Sequence, residues 1–154
     1  MTVRAIGLEL IAELGTHLKP LGFSKRRATF SRRRDGYVEL FQVEGSRWNS
    51  GQEPWVFGLK VAARLDGIPM LPESLGLWGE AHAVGCVSGI VASAPAEFSV
   101  TQSTVGSTAR HLTEVVVAAS GLLPSLLVSV RPRAAAGLIS PLPVPGSWQE
   151  PGAT

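Results

Sequence analysis

The sequence predicts an α+β fold, an antiparallel sheet of about five strands with N-terminal and C-terminal helices packed on one face. Three observations carry this expectation. Apolar residues recur at three- and four-residue steps over residues 2–19 and again over 104–120. Between them, Trp55, Phe57, Leu59 and Val61 alternate toward one face within residues 54–65, the period of a strand with one covered face. The pair Asp35-Gly36 sits between two strand-like runs and supplies the positive φ angles of a hairpin turn. Strands grouped between helices, rather than alternating with them, build two layers with the helices on one side.

Each element has its own justification. In the first helix Val3, Ile6, Leu10, Leu14 and Leu18 form the stripe, with Ile11 beside it and Thr2 as N-cap. His17 and Lys19 suit the carbonyl end of the dipole, and Pro20 and Gly22 end the helix. Phe23–Arg32 reads as one strand with wet ends or an edge strand, since Arg26 and Arg32 fall on its apolar face. Tyr37–Glu44 is the return strand, and residues 45–53 form a polar loop. Pro54–Leu65 is the third strand, with Trp55, Phe57, Leu59 and Val61 on one face. After an irregular connector, Glu80–Val91 and Glu97–Thr101 are weaker strands. Thr104–Ser120 is the second helix, with Gly121 as its natural stop. Leu122–Val130 is a further helix opened by Pro124, or a buried strand. Residues 1–130 are thus expected to form a single α+β domain. Residues 131–154 hold five prolines and read as an extended or disordered tail, in which Trp148 is a chance aromatic, a docking residue or a short partner motif.

The chain has 154 residues, of which 45% are hydrophobic, enough for a real core. Its one cysteine, Cys86, excludes an intramolecular disulfide and a cysteine zinc cage. The first residues lack the apolar core of a secretion signal. The runs 81–96 and 115–130 fall short of the roughly 20 residues that span a bilayer. A cytoplasmic chain with no membrane partner is therefore expected. Arginine over lysine, with abundant alanine, glycine, proline and valine, suits a bacterial genome rich in G and C.

Net charge is +2, too mild by itself to announce a nucleic-acid binder. Its distribution is uneven, because Lys25, Arg26, Arg27, Arg32, Arg33 and Arg34 fall within ten residues. Cations interleaved with Phe30, Tyr37 and Phe41 can contact phosphates, so this hairpin is a candidate surface for nucleic acid or another anionic partner. The plainer explanation is an edge strand guarded by charge. A second candidate is the rim of Arg47, Trp48, Asn49 and Trp55, since aromatics in polar loops either anchor partners or staple the loop to the core.

Catalytic patterns are scarce. No phosphate-cradling glycine loop and no GxSxG elbow occur. His17, His82 and His111 lack metal spacing, and no metal or cofactor is expected. His82 and Cys86 share one strand and one face, which a thiolate pair would need and which chance neighbours also satisfy. Glu39, Glu44, Glu53, Asp66, Glu73 and Glu80 form no recognisable acid–base pair. A cross-strand ion pair with the basic strand accounts for Glu39.

Several of these features occur together in an unusual order. They are Leu18-Lys19-Pro20-Leu21-Gly22-Phe23, then Thr29-Phe30-Ser31-Arg32, then Gln42-Val43, then Trp48-Asn49-Ser50-Gly51, followed by Phe57 and Leu59. In this the first 65 residues resemble a bacterial family known only as domain of unknown function 4304. Beyond Gly79 the likeness is an order of elements and a Leu123-Pro124 step, and residues 131–154 fall outside it. The chain departs from family habit in its low charge after residue 80. The resemblance implies a fold and no activity.

The function these readings favour is a small binding module for a protein partner, an immunity-type protein that holds a toxin being one form. Nucleic-acid or anionic-ligand binding through residues 25–34 is the alternative. An enzyme whose pocket is lined by Trp48, Trp55, Glu39 and Arg47 is the third. The oligomeric state is open.

Overall fold

The first helix, α1, forms where the spacing predicts it, over Val3–Leu18. The Thr2 side chain accepts a hydrogen bond from the Ala5 amide at 3.1 Å and so satisfies one free donor of the first turn. Ile6, Leu10, Leu14 and Leu18 are fully buried. A short 3-10 turn over Lys19–Leu21 follows, and Gly22 ends it in the left-handed region at φ 96°. The computed structural model describes residues 2–70 and 81–143. Expectations that fall on Glu73, Glu80, Trp148 and the rest of 71–80 and 144–154 lie outside the described residues.

Among the described residues, seven strands form one mixed sheet in the order β1-β2-β3-β4-β5-β7, with β6 also beside β4. They are β1 (Ser24–Arg26), β2 (Thr29–Arg34), β3 (Tyr37–Gly45), β4 (Trp55–Leu65), β5 (Ala83–Cys86), β6 (Phe98–Val100) and β7 (Ser140–Leu142). All pairs are antiparallel except β5 with β7. The α+β class holds, and the sheet has two strands more than the sequence predicts.

The first extra strand comes from Phe23–Arg32, which is a hairpin rather than one strand. The chain turns at Arg27 and Ala28, and Lys25 pairs with Phe30. Arg27 takes φ 56° there without being glycine, so no turn residue marks the site in the sequence. The turn inverts the expected facing of β1. Lys25 joins Phe30 on the helix side, and Arg26 goes to the opposite face beside Thr29. The second extra strand, β7, lies within the segment expected to be a tail, and residues up to Ala135 complete a helix.

That helix, α2, runs unbroken over Val105–Ala135, where the sequence predicts a stop at Gly121 and a new element from Pro124. Its buried residues continue at three- and four-residue steps through Leu112, Val116, Ala119, Leu123, Leu127, Val130 and Ala134. Pro124 removes the hydrogen bond to the Ser120 carbonyl and costs about 3 kcal/mol in a helix interior. Burying Leu123, Leu126 and Leu127 contributes about 1.5–3 kcal/mol each, which outweighs that loss. Gly121 lies on the outer side with open space around it. By length and composition Gln102–Ala135 could cross a membrane, and here its apolar stripe is buried against α1 and the sheet.

Both helices cover the face that carries Phe30, Phe41, Phe57, Leu59 and Val61, and these side chains join one contiguous core. The outer face holds a smaller cluster of Ala62 and Ala81 with Leu40 and Val84. The expected strand Glu80–Val91 shortens to β5 and gives way to a 3-10 turn at Val87–Gly89. Gly85 explains how β7 can lie so close, since a Cβ there would strike the Leu142 carbonyl oxygen. We expect Gly85→Ala to lower stability by about 1–3 kcal/mol. It should also speed hydrogen exchange at the Ser140 amide, which donates to the His82 carbonyl at 2.9 Å. Unchanged exchange there would mean that β7 is not held at Gly85.

Candidate functional site

The six cations of residues 25–34 do not form one patch. Strand alternation and the Arg27 turn send them to different faces. Arg32 points toward the helices and is largely, though not fully, buried. Its Nε donates to Glu39 Oε1 at 2.7 Å, its Nη1 to the Leu21 carbonyl at 2.9 Å and its Nη2 to Ser120 Oγ at 2.8 Å. The guanidinium also stacks over Phe23, 4.4 Å from the ring centre. Glu39 is fully buried, and Ser120 Oγ donates to its carboxylate, 2.7 Å from Oε2. The cross-strand explanation of Glu39 is correct, with a third partner from α2. Arg32 therefore leaves the set of residues that could meet an anionic partner.

The others differ. Arg33 pairs with Asp66 at 2.8 Å, an exposed bridge of small energetic value. Arg34 ends β2 in solvent. Lys25, Arg26 and Arg27 are exposed and make no ion pair among the described residues. Lys25 lines a groove of about 560 Å³ between the last turns of α1 and β1. Lys19, Thr16 and Ser24 share that groove, with the edges of Phe23 and Phe30 as its floor. The sequence reading missed Lys19 and Ser24, because only the hidden turn brings β1 alongside α1.

The rim of Arg47, Trp48, Asn49 and Trp55 is at the other end of α1. Trp48 is 78% exposed, so it does not staple the loop to the core. Asn49 does that work. Its side chain donates to the carbonyls of Ser46 and Val56 at 3.0 and 2.8 Å and accepts from the Val56 amide at 2.8 Å. Glu53 fixes the far end of the loop by accepting from the Gln102 amide. Arg47 lies over the Trp48 ring at 4.8 Å. Trp55 is half-buried, stacked on Phe57 at 5.1 Å, and its indole packs where Gly7 and Gly45 leave room. Trp55, Asn49, Leu8, Ile11 and Arg4 line a shallow groove of about 270 Å³. Leu8, 60% exposed, is an apolar neighbour that the helical periodicity leaves off the buried stripe.

The pocket imagined from Trp48, Trp55, Glu39 and Arg47 does not form. Glu39 and Gly45, on which Trp55 packs, lie about 20 Å apart along β3 at ~3.3 Å per residue. Nor do His82 and Cys86 pair. His82 is buried before β5, its Nδ1 accepting from the Leu65 amide at 2.8 Å and its Nε2 3.3 Å from the Pro69 carbonyl, while Cys86 is exposed. His17 sits 3.6 Å from Glu13 on the surface of α1, and His111 packs near Phe98. No cluster of metal-ligating side chains occurs among the described residues.

Tyr37 stands next to Glu39 on the buried face of β3. Burial, reinforced by the Glu39 charge and opposed by Arg34 and Arg32, holds its phenol above the ordinary value of 10.0. A raised phenol stabilises the fold below its unfolded value, and that contribution is lost as pH climbs through the folded one. Tyr37 is the only tyrosine, so tyrosinate absorbance reads it directly. We expect a midpoint above 10.0 that falls in Glu39→Gln, where the charge is gone. A midpoint at the ordinary value in the wild type would contradict this placement.

A family model described as Domain of unknown function (DUF4304) matches residues 14–62. No curated protein and no solved structure matches the chain. The matched span runs from the last turns of α1 into β4, and it holds the Arg32–Glu39 pair, the basic turn and the Trp48 loop. Over these residues the chain is similar to the DUF4304 family.

Proposed function

We propose that this chain is a non-catalytic binding module of a bacterial cytoplasm, which holds a protein partner through the rim around Trp48. The carrying observation is a large aromatic side chain, 78% exposed, on a loop fixed at both ends. Tryptophan and arginine supply much of the energy of protein interfaces. A preorganised anchor spends less ordering entropy on association. The groove beside it, lined by Leu8, Ile11 and Trp55, offers apolar surface that an opposing side chain can cover. Two buried groups that chemistry could draw on are engaged inside the fold. Glu39 is bound by Arg32 and Ser120, and His82 by backbone. An immunity-type role, with a toxin from the adjacent gene as partner, is the specific form to test.

The test is co-expression with the product of the adjacent gene, followed by size exclusion. We expect a stable complex that Trp48→Ala weakens by at least 2 kcal/mol, about thirtyfold. The same substitution should leave the unfolding midpoint of the free chain within about 0.5 kcal/mol of wild type, as for an exposed residue. A complex of unchanged affinity in Trp48→Ala would reject the rim as the binding surface.

A further inference from the structure

The second groove lies at the opposite end of α1 from Trp48 and points to a different occupant. Its walls are α1 and β1, and its volume of about 560 Å³ is in the range of small-molecule sites. The charge is one-sided. Lys19 and Lys25 line it, and among the described residues no carboxylate does. Arg26 and Arg27 follow on the adjoining turn. Thr16 and Ser24 bring hydroxyls to the same space.

Lys25 is not a loose surface lysine. Gly15 leaves the gap through which its stem crosses the helix. A Cβ at Gly15 would stand 3.0 Å from Lys25 Cδ and 3.5 Å from Phe30 Cε1. The stem is therefore packed against the helix beside Gly15, and Lys25 is part of the groove lining. The floor is apolar, made by ring edges of Phe23 and Phe30, which are 6% and 1% exposed. Rings so deeply buried offer no open face on which successive bases of a strand could stack.

We propose that this groove binds a small phosphate monoester carrying an apolar or aromatic group, of the size of a nucleoside monophosphate. Two ammonium groups act as point charges, which suits a compact dianion, and no guanidinium fork lines the groove to favour a planar carboxylate. The hydroxyl of Ser24 can donate to a phosphate oxygen, whereas that of Thr16 donates to the Ala12 carbonyl at 3.2 Å. The remainder of the ligand lies against Ala12 and the two ring edges.

Isothermal titration of the full chain with adenosine 5′-monophosphate, inorganic phosphate, adenosine and an oligothymidylate tests this. The monophosphate should bind one to one, at least tenfold more tightly than phosphate or adenosine, and more weakly as salt rises. Lys19→Glu with Lys25→Glu should weaken it at least tenfold. Gly15→Ala should weaken it severalfold while thermal unfolding shows an intact fold, because the added methyl displaces the Lys25 stem. No binding of the monophosphate at millimolar concentration would overturn the proposal. So would binding unchanged by the lysine variants, or an oligothymidylate that binds more tightly per phosphate than the monophosphate.

Discussion

A buried carboxylate needs partners, and the way Glu39 finds them organises this protein. An unpaired charge in an apolar core costs several kcal/mol. Glu39 faces the helices because the alternation that buries Phe41 and Val43 puts every second residue of β3 on that side. The register opposite places Arg32 directly across from it. Ser120 on α2 donates to the second carboxylate oxygen, and Arg32 reaches on to the Leu21 carbonyl after α1. One cluster thus joins the sheet, the end of the first helix and the middle of the second. It also sits beside Pro124, where α2 has lost a backbone hydrogen bond to Ser120.

The same cluster decides what the surface can offer. By drawing Arg32 inward it divides a run of cations that looks continuous in sequence. What remains outside is a basic turn at Lys25, Arg26 and Arg27 beside a groove, with Arg33 and Arg34 exposed at the far end of β2. The helix α1 separates two open surfaces of different character. Its N-terminal half borders the groove lined by Leu8, Ile11 and Trp55, and its C-terminal half borders the lysine groove. Glycine makes both possible at close range, Gly7 under the Trp55 indole and Gly15 under the Lys25 stem.

The elements with a strong period were legible in the sequence. α1 with its Thr2 cap, the Asp35-Gly36 turn, β3 and β4 all lie where alternation and capping place them. The facing of β3 also revealed the Glu39 pair, though not Ser120, which is far away in sequence. The errors have physical causes. Arg27 turns the chain in a left-handed conformation that glycine or asparagine would have advertised, so one expected strand concealed two. Gly121 and Pro124 are punctuation that tertiary burial overrode, since the apolar stripe on either side of them is continuous. β7 draws its order from pairing with β5, and a three-residue strand has no period to read. The lysine groove is hidden in the sequence for the same reason as the turn, because only the reversal at Arg27 sets Lys25 opposite Phe30 and on its face.

The account stands on the coupling between Arg32 and Glu39, and a double-mutant cycle measures it most directly. Unfolding free energies of Arg32→Ala, Glu39→Ala and the double variant should show that removing both costs far less than the sum of the two. A coupling of about 1.5 kcal/mol or more is the result expected of charges that share a buried hydrogen-bonded network. Additivity within about 0.5 kcal/mol would contradict it, and would return Arg32 to the surface as a free cation.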